Sequence, residues 1–178
     1  FRSPPMAPYL LLILAICAAD QLTKLWAMNF IFDHAAASGI AGAALPLPGD
    51  SVPVIDGVLH FTYIENPGMS FGLLTNHRWI FMTVSSVAIL AILVYMFTIK
   101  GKQTLLRTSL ALIVGGGIGN MFDRVLLGYV VDFIDVRIFG SLWRWVFNVA
   151  DAAVCVGAAL LVIYCLVSYK KEKKETAK

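Results

Sequence analysis

The stretch "WVFNVADAAVCVGAALLVIYCLV", residues 145–167, decides the fold. From Ala152 to Ser168 it carries no charge. It is long enough for one helical crossing of a bilayer, which takes about 20 apolar residues. At its head stands Asp151, three residues after Asn148. A charged side chain in a membrane segment costs at least about 2.5 kcal/mol, so such residues are rare and point to function by default.

The rest of the chain has the same character. Its 178 residues are 59% hydrophobic and 14% charged, with a mean hydropathy of +0.79. A soluble domain is about 45–50% apolar and about 25% charged. Apolar runs at 9–30, 79–99, 105–122 and 145–169 predict four transmembrane helices. The fold class expected is an all-α membrane protein with a small antiparallel β-sheet on the extracytoplasmic side and both termini cytoplasmic. Residues 1–178 are read as one integral membrane domain. The first five, FRSPP, precede Met6, and the reading leaves open whether they are an expression remnant. The first helix is too long, and too polar near Asp20, for a cleaved signal peptide.

Lys and Arg give the orientation. Arg2, Lys100, Lys102, Arg107, Lys170, Lys171, Lys173, Lys174 and Lys178 fall on one side, and Arg78, Arg124, Arg137 and Arg144 on the other. The richer side is read as cytoplasmic. The basic tail, 170–178, is an orientation signal and a contact for anionic membrane lipid, not a nucleic-acid site. Cys17, Cys155 and Cys165 lie in apolar runs and act there as small hydrophobes. His34, His60 and His77 lack metal-ligand spacing, so neither metal nor other cofactor is expected.

Between the first two spans, "DHAAASGIAGAALPLPGD" (33–50) reads as irregular. Beyond it, Asp56-Gly57 is a hairpin signal, and Leu59, Phe61 and Tyr63 alternate with polar neighbours as in a strand. Asn66-Pro67-Gly68 reads as a turn inside this sheet. A second extended segment is "GYVVDFIDVRIFGSLWRW" (128–145).

Depth follows from the helical rise of 1.5 Å per residue. Asp151 lies about 27 Å from the cytoplasmic end of its helix, Asn120 about 22 Å and Asp20 about 17 Å. The strongly polar residues therefore cluster in the outer half, whereas an ion pathway needs them at every depth. Asp20 and Lys24 share a helix face at i,i+4, as do Asn120 and Arg124. The run "GGGIGN" (115–120) allows close helix packing. Asp132 and Asp151 are each flanked by apolar residues near the outer interface. Two carboxyls held together in a poorly solvated place share a proton. Such a pair can activate water with one member and polarise a carbonyl with the other. On spacing alone Asp135 is an equal candidate, and Asp151 is equally well placed to cap its helix.

The ordered motifs "DQLTK" (20–24), "ENPGMSFG" (65–72), "GGGIGNMFDR" (115–124), "GYVVDFIDV" (128–136) and "FNVADAAV" (147–154) closely resemble lipoprotein signal peptidase, bacterial signal peptidase II. The resemblance covers about residues 10–169. It implies an aspartic endopeptidase of the bacterial inner membrane, active near the outer leaflet. Its partners would be prolipoproteins carrying a diacylglyceryl-modified lipobox cysteine, cut just before that cysteine. Carried over by motif, the catalytic pair is Asp132 and Asp151, and Asp135 is not catalytic. Asp20, Asn66, Gly68, Asn120, Arg124 and Asn148 map to supporting or substrate-binding positions. Lys24 matches too, without an assigned role. The family pattern N-x-G-A-A-[FW] stands here as "NPGMSF", so Pro67, Met69 and Ser70 depart from it, and the Ala/Gly-rich stretch is longer than usual.

Phe61, Tyr63 and Phe71 are expected to cover the site and exclude water. Nothing in the sequence calls for more than a monomer. The rival readings are a small transporter, which needs a broken midplane helix, and a non-enzymatic scaffold, which would tolerate loss of either aspartate.

Overall fold

The structure, a computed structural model, describes residues 5–37, 46–68, 78–138 and 143–176. Within them the chain runs α1 (Ala7–Ala37), β1 (Ser51–Ile55), β2 (Leu59–Asn66), α2 (Arg78–Thr98), α3 (Thr104–Leu126), β3 (Val130–Ile138), β4 (Trp143–Phe147) and α4 (Val149–Thr176). The protein is mostly helical, with one four-stranded antiparallel sheet in the order β1-β2-β3-β4. α1, α3 and α4 are long and apolar enough to cross a membrane, while the apolar stretch of α2, Met82–Thr98, is shorter.

Two boundaries differ from those expected. The first is the end of α1, which continues to Ala37, so the start of the Ala/Gly-rich stretch is helical. At 31 residues the helix spans about 46 Å, more than the roughly 30 Å of bilayer hydrocarbon. Its last turns hold the sheet. The Phe61 ring meets Trp26 and Phe30 edge-on at 5.2 and 5.9 Å, and Tyr63 is buried with Ile31 and Val131. Phe61 and Tyr63 therefore fasten the sheet to α1 instead of covering the site. Phe71 and residues 38–45 lie outside the described residues.

The second difference is at the other end. Trp145–Phe147, read as the start of a span, belongs to β4 and pairs with β3, Trp145 opposite Val136. α4 begins only after Asn148. The apolar run is continuous, but a capping residue divides strand from helix.

Asp56-Gly57 makes the expected turn, with Gly57 at φ 69°. The turn Asn66-Pro67-Gly68 starts at the last residue of β2 and leaves the sheet instead of lying inside it. Gly68 sits at φ 90°, and its N–H donates to Asn66 Oδ1 at 2.8 Å. Such a left-handed conformation favours glycine. At the end away from the sheet, Arg107 is buried and donates to the Ile99 carbonyl at 2.6 Å. It clamps the exit of α2, where a cation suits the helix dipole.

Helices in lipid gain little from burying leucine, because the hydrocarbon is equally apolar; small residues and polar pairs hold them. α3 supplies both. A Cβ on Gly116 would strike the Ala150 carbonyl oxygen of α4 and come within 2.8 Å of Val154. One on Gly119 would lie 2.9 Å from Asp20 Oδ2. α3 runs unbroken through this glycine run, so the glycines serve close approach and not a helix break.

Gly116→Ala should therefore destabilise the protein by about 1–3 kcal/mol through overpacking. Gly117→Ala, whose Cβ meets only the end of Ile89 at 3.0 Å, should change little. Thermal unfolding in detergent compares the two, and equal melting would rule out the close approach as the determinant.

Candidate active site

The sheet and the helix bundle meet at a buried polar cluster. Asp132 comes from β3, and Asp151 from the first turn of α4. Asn66 ends β2, Asn120 and Arg124 lie on α3, and Asp20 and Lys24 on α1. Asn148 stands at the centre. Its amide Nδ2 donates to Asp132 Oδ1 at 2.7 Å and to Asn120 Oδ1 at 3.1 Å. Its Oδ1 accepts from the Asp151 backbone N–H at 2.8 Å, while Asp151 Oδ2 accepts from the Asn148 backbone N–H at 3.3 Å. This reciprocal arrangement is a capping box that starts α4. Asp151 therefore does cap its helix, but through one oxygen only. Its Oδ1 accepts from Asn120 Nδ2 at 2.7 Å.

Asp132 is 2% exposed. Asn66 Nδ2 donates to its Oδ2 at 2.9 Å, so both oxygens are held by side-chain amides. Burial, with the charge of Asp151 beside it, pushes its carboxyl up to about 6 against the hydrogen bonds from Asn66 and Asn148. Asp135 is in the opposite condition. Thr62, Arg137 and Arg144 donate to it at 2.7–3.1 Å. Burial raises its carboxyl, yet these donors prevail and hold it at about 2. Three positions apart on one strand, the two aspartates point to opposite faces. Asp135 anchors two arginines and takes no part in the cluster.

Gly68 packs beside Arg124, where an added Cβ would lie 3.6 Å from Nε. Arg124 Nη1 also donates to the Asn120 carbonyl at 3.2 Å. Asn120, Arg124 and Asp151 line one end of a cavity of about 820 Å³ between α2, α3 and α4. Its other walls are apolar, among them Ile89, Ile92, Ile113 and Val154, with Trp145 and Phe147 from β4. Asp132 and Asn148 do not line it; Asp132 is linked through Asn148 to the start of α4, where Asp151 does. Every supporting position expected from the motifs thus gathers here.

Two residues were missed in the sequence. Asp123 accepts from Lys24 at 2.8 Å and from the Val131 N–H at 3.1 Å, and Gln21 donates to Asp123 at 2.8 Å. Spacing was no guide to Asp123, because its contacts join different elements; for Gln21 the only signal was its place beside Asp20.

The chain matches the family described as signal peptidase (SPase) II over residues 12–167. It is 39% identical to the lipoprotein signal peptidase of Clostridioides difficile over 165 residues, 93% of this chain and 99% of that one. It is 44% identical to that of Desulfitobacterium hafniense over 126 residues, 71% and 81% of the two chains. A bacterial membrane enzyme solved by the in meso method at 2.3 Å superposes with a TM-score of 0.74 at 26% identity, covering 96% of this chain and 94% of the other. A second, at 1.9 Å, gives 0.72 at 30% identity over 93% and 96%. The chain belongs to the signal peptidase II family and is a peptidase.

A raised pKa means that the fold holds the neutral acid of Asp132 better than the ion. Its carboxylic C=O band in infrared difference spectra should accordingly disappear with a midpoint near pH 6. In Asp151→Asn a neighbouring negative charge is gone, and the midpoint should move down. An unmoved midpoint would mean that the two carboxyls are not coupled.

Proposed function

We propose that this member of the signal peptidase II family is an aspartic endopeptidase that removes the signal peptide from diacylglyceryl-modified prolipoproteins, with Asp132 and Asp151 as its catalytic pair. The observation that carries the reading is Asn148, which links Asp132 to Asp151, and Asp151 in turn lines a large apolar cavity. A signal peptide is itself an apolar helix, and a lipidated cysteine would bring the scissile bond to the end that Asp151 lines. The "lipoprotein signal peptidase" relatives support the same substrate class.

In the proposed reaction one carboxyl of the pair is ionised and the other protonated. The ionised member takes a proton from water as its oxygen attacks the carbonyl carbon before the cysteine. The protonated member gives its proton to the carbonyl oxygen, forming a gem-diol. Collapse of the diol breaks the C–N bond, one carboxyl protonating the departing amine as the other recovers a proton from the diol hydroxyl. Asn66 and Asn148 orient Asp132, and Asn120 orients Asp151. Arg124 and Gly68 flank the path of the substrate backbone.

The proposed setting is a monomeric, single-domain protein of the bacterial inner membrane. It would have four crossings, both termini cytoplasmic and the active site near the outer leaflet. The asymmetry of Lys and Arg supports this orientation, and so does the gathering of polar residues at the sheet end. An unbroken α3 counts against a transporter.

Cleavage of a diacylglyceryl-modified prolipoprotein by purified protein in detergent tests the function. Asp132→Asn and Asp151→Asn should each lose about 10²–10⁴-fold in rate, whereas Asp135→Asn, if folded, keeps most of it. Retained cleavage in folded Asp151→Asn would make that residue a helix cap alone and end the dyad mechanism.

A further inference from the structure

The proposed catalytic pair sits on two unlike elements, a strand and a helix, whose separation must be set. We infer that Lys24 sets it, as a yoke joining the two backbones that carry Asp132 and Asp151. The inference rests on the peptidase reading above. Lys24 Nζ lies 2.7 Å from Asp20 Oδ2 and 2.8 Å from Asp123 Oδ2. Each of these carboxylates also accepts a backbone N–H. Asp20 Oδ1 takes that of Ala150 at 2.9 Å, and Asp123 Oδ2 that of Val131 at 3.1 Å. Ala150 precedes Asp151, and Val131 precedes Asp132. One ammonium thus holds, through two acceptors, the residue before each aspartate of the pair.

The rest of the site is built around this arrangement. Lys24, Asp20 and Asp123 are all nearly inaccessible, at 3%, 0% and 3% exposure. Gln21 Nε2 makes a second bridge, donating to Asp123 Oδ1 at 2.8 Å and Asp20 Oδ2 at 3.2 Å. Lys24 also donates to Asn120 Oδ1 at 3.3 Å, and Asn120 in turn holds Asp151. Gly119 leaves the room that Asp20 needs. Buried ion sets add little net stability over apolar packing, so fixed geometry is the better account of such a costly device. Geometry matters here because a misplacement of about 1 Å can lose about 10²-fold in rate. Lys24 is therefore a positioning residue and touches no substrate.

The test uses the full chain in detergent. Lys24→Met removes the ammonium and keeps the side-chain length, while Asp123→Asn keeps the volume. Per folded molecule, each should lower kcat for the lipidated substrate about 10²-fold with KM little changed. The second readout is spectroscopic and needs no cleavage. The drop in the Asp132 midpoint caused by Asp151→Asn should shrink in the Lys24→Met background. Lys24 and Arg124 also act on the charge of Asp132, and Asn66 and Asn148 donate to it, so only the difference between backgrounds is read.

A folded Lys24→Met protein with wild-type kcat and unchanged coupling would overturn the yoke and leave a packing cluster. If Lys24→Met does not fold, Asp123→Asn decides by the same two readouts. If neither folds, the trio is a folding element and the yoke is overturned. A wild type that shows the coupling, and loses it in Lys24→Met, yet never cuts the substrate would sink the peptidase reading and keep the yoke.

Discussion

An ammonium among carboxylates, almost sealed from solvent, is the interaction on which the sheet end of this molecule depends. Lys24 neutralises one of two negative charges, and backbone N–H groups and the Gln21 amide satisfy the rest. Removing Lys24 would leave two buried carboxylates uncompensated, and an uncompensated buried charge costs about 3–5 kcal/mol in proteins generally. The set also ties α1 to α3, β3 and α4 at one point. In lipid, where apolar contact between helices has no solvent to escape from, such ties and the glycine contacts of α3 decide how the helices meet.

The same physics gives two aspartates of one strand opposite fates. Asp135 faces Arg137 and Arg144, whose cationic donors outweigh its burial and hold its carboxyl well below the usual range. Asp132 is buried with the charge of Asp151 nearby, and the amides of Asn66 and Asn148 offset this only in part, so its proton is held into the mildly acidic range. A bulge in β2 lies between these regions, where the register against β3 shifts between Phe61 and Ile64. Bulges re-aim side chains beside functional sites. Here Thr62 goes to Asp135, and Asn66 is left in place for Asp132.

Much of this was legible in the sequence. Apolar length marked the membrane helices, Asp56-Gly57 marked the hairpin, and the ordered motifs named the residues that gather at the site. Trp145–Phe147 was misread because hydropathy alone does not separate a strand from the helix that follows it. The dividing signal was present in Asn148 and Asp151, whose spacing is that of a capping box. The end of α1 was misplaced because Asp33 and His34 mark departure from the hydrocarbon, not the end of a helix. Asp123 was passed over as a flank of Arg124. Its role depends on a contact with β3, and no local pattern encodes it. The choice between Asp132 and Asp135 was partly written in period two, since Asp135 and Arg137 share a strand face. The second arginine, Arg144, arrives from another strand.

Asp151 joins the fold to the proposed chemistry. One of its oxygens completes the cap that lets α4 begin at Val149, and the other is held by Asn120 at the cavity. The cap side chain, Asn148, also donates to Asp132. The start of the helix and the bridge from Asp132 to α4 are therefore one event. β4 must end, and α4 must start, at the residue that bridges them. A shift of that boundary by one position would move Asp151 about 100° around the helix, away from both Asn120 and Asn148. The long α1, propping the sheet from below, fixes the strand side of the same junction. The site is consistent with a fold whose two halves, sheet and bundle, are registered to each other at this residue.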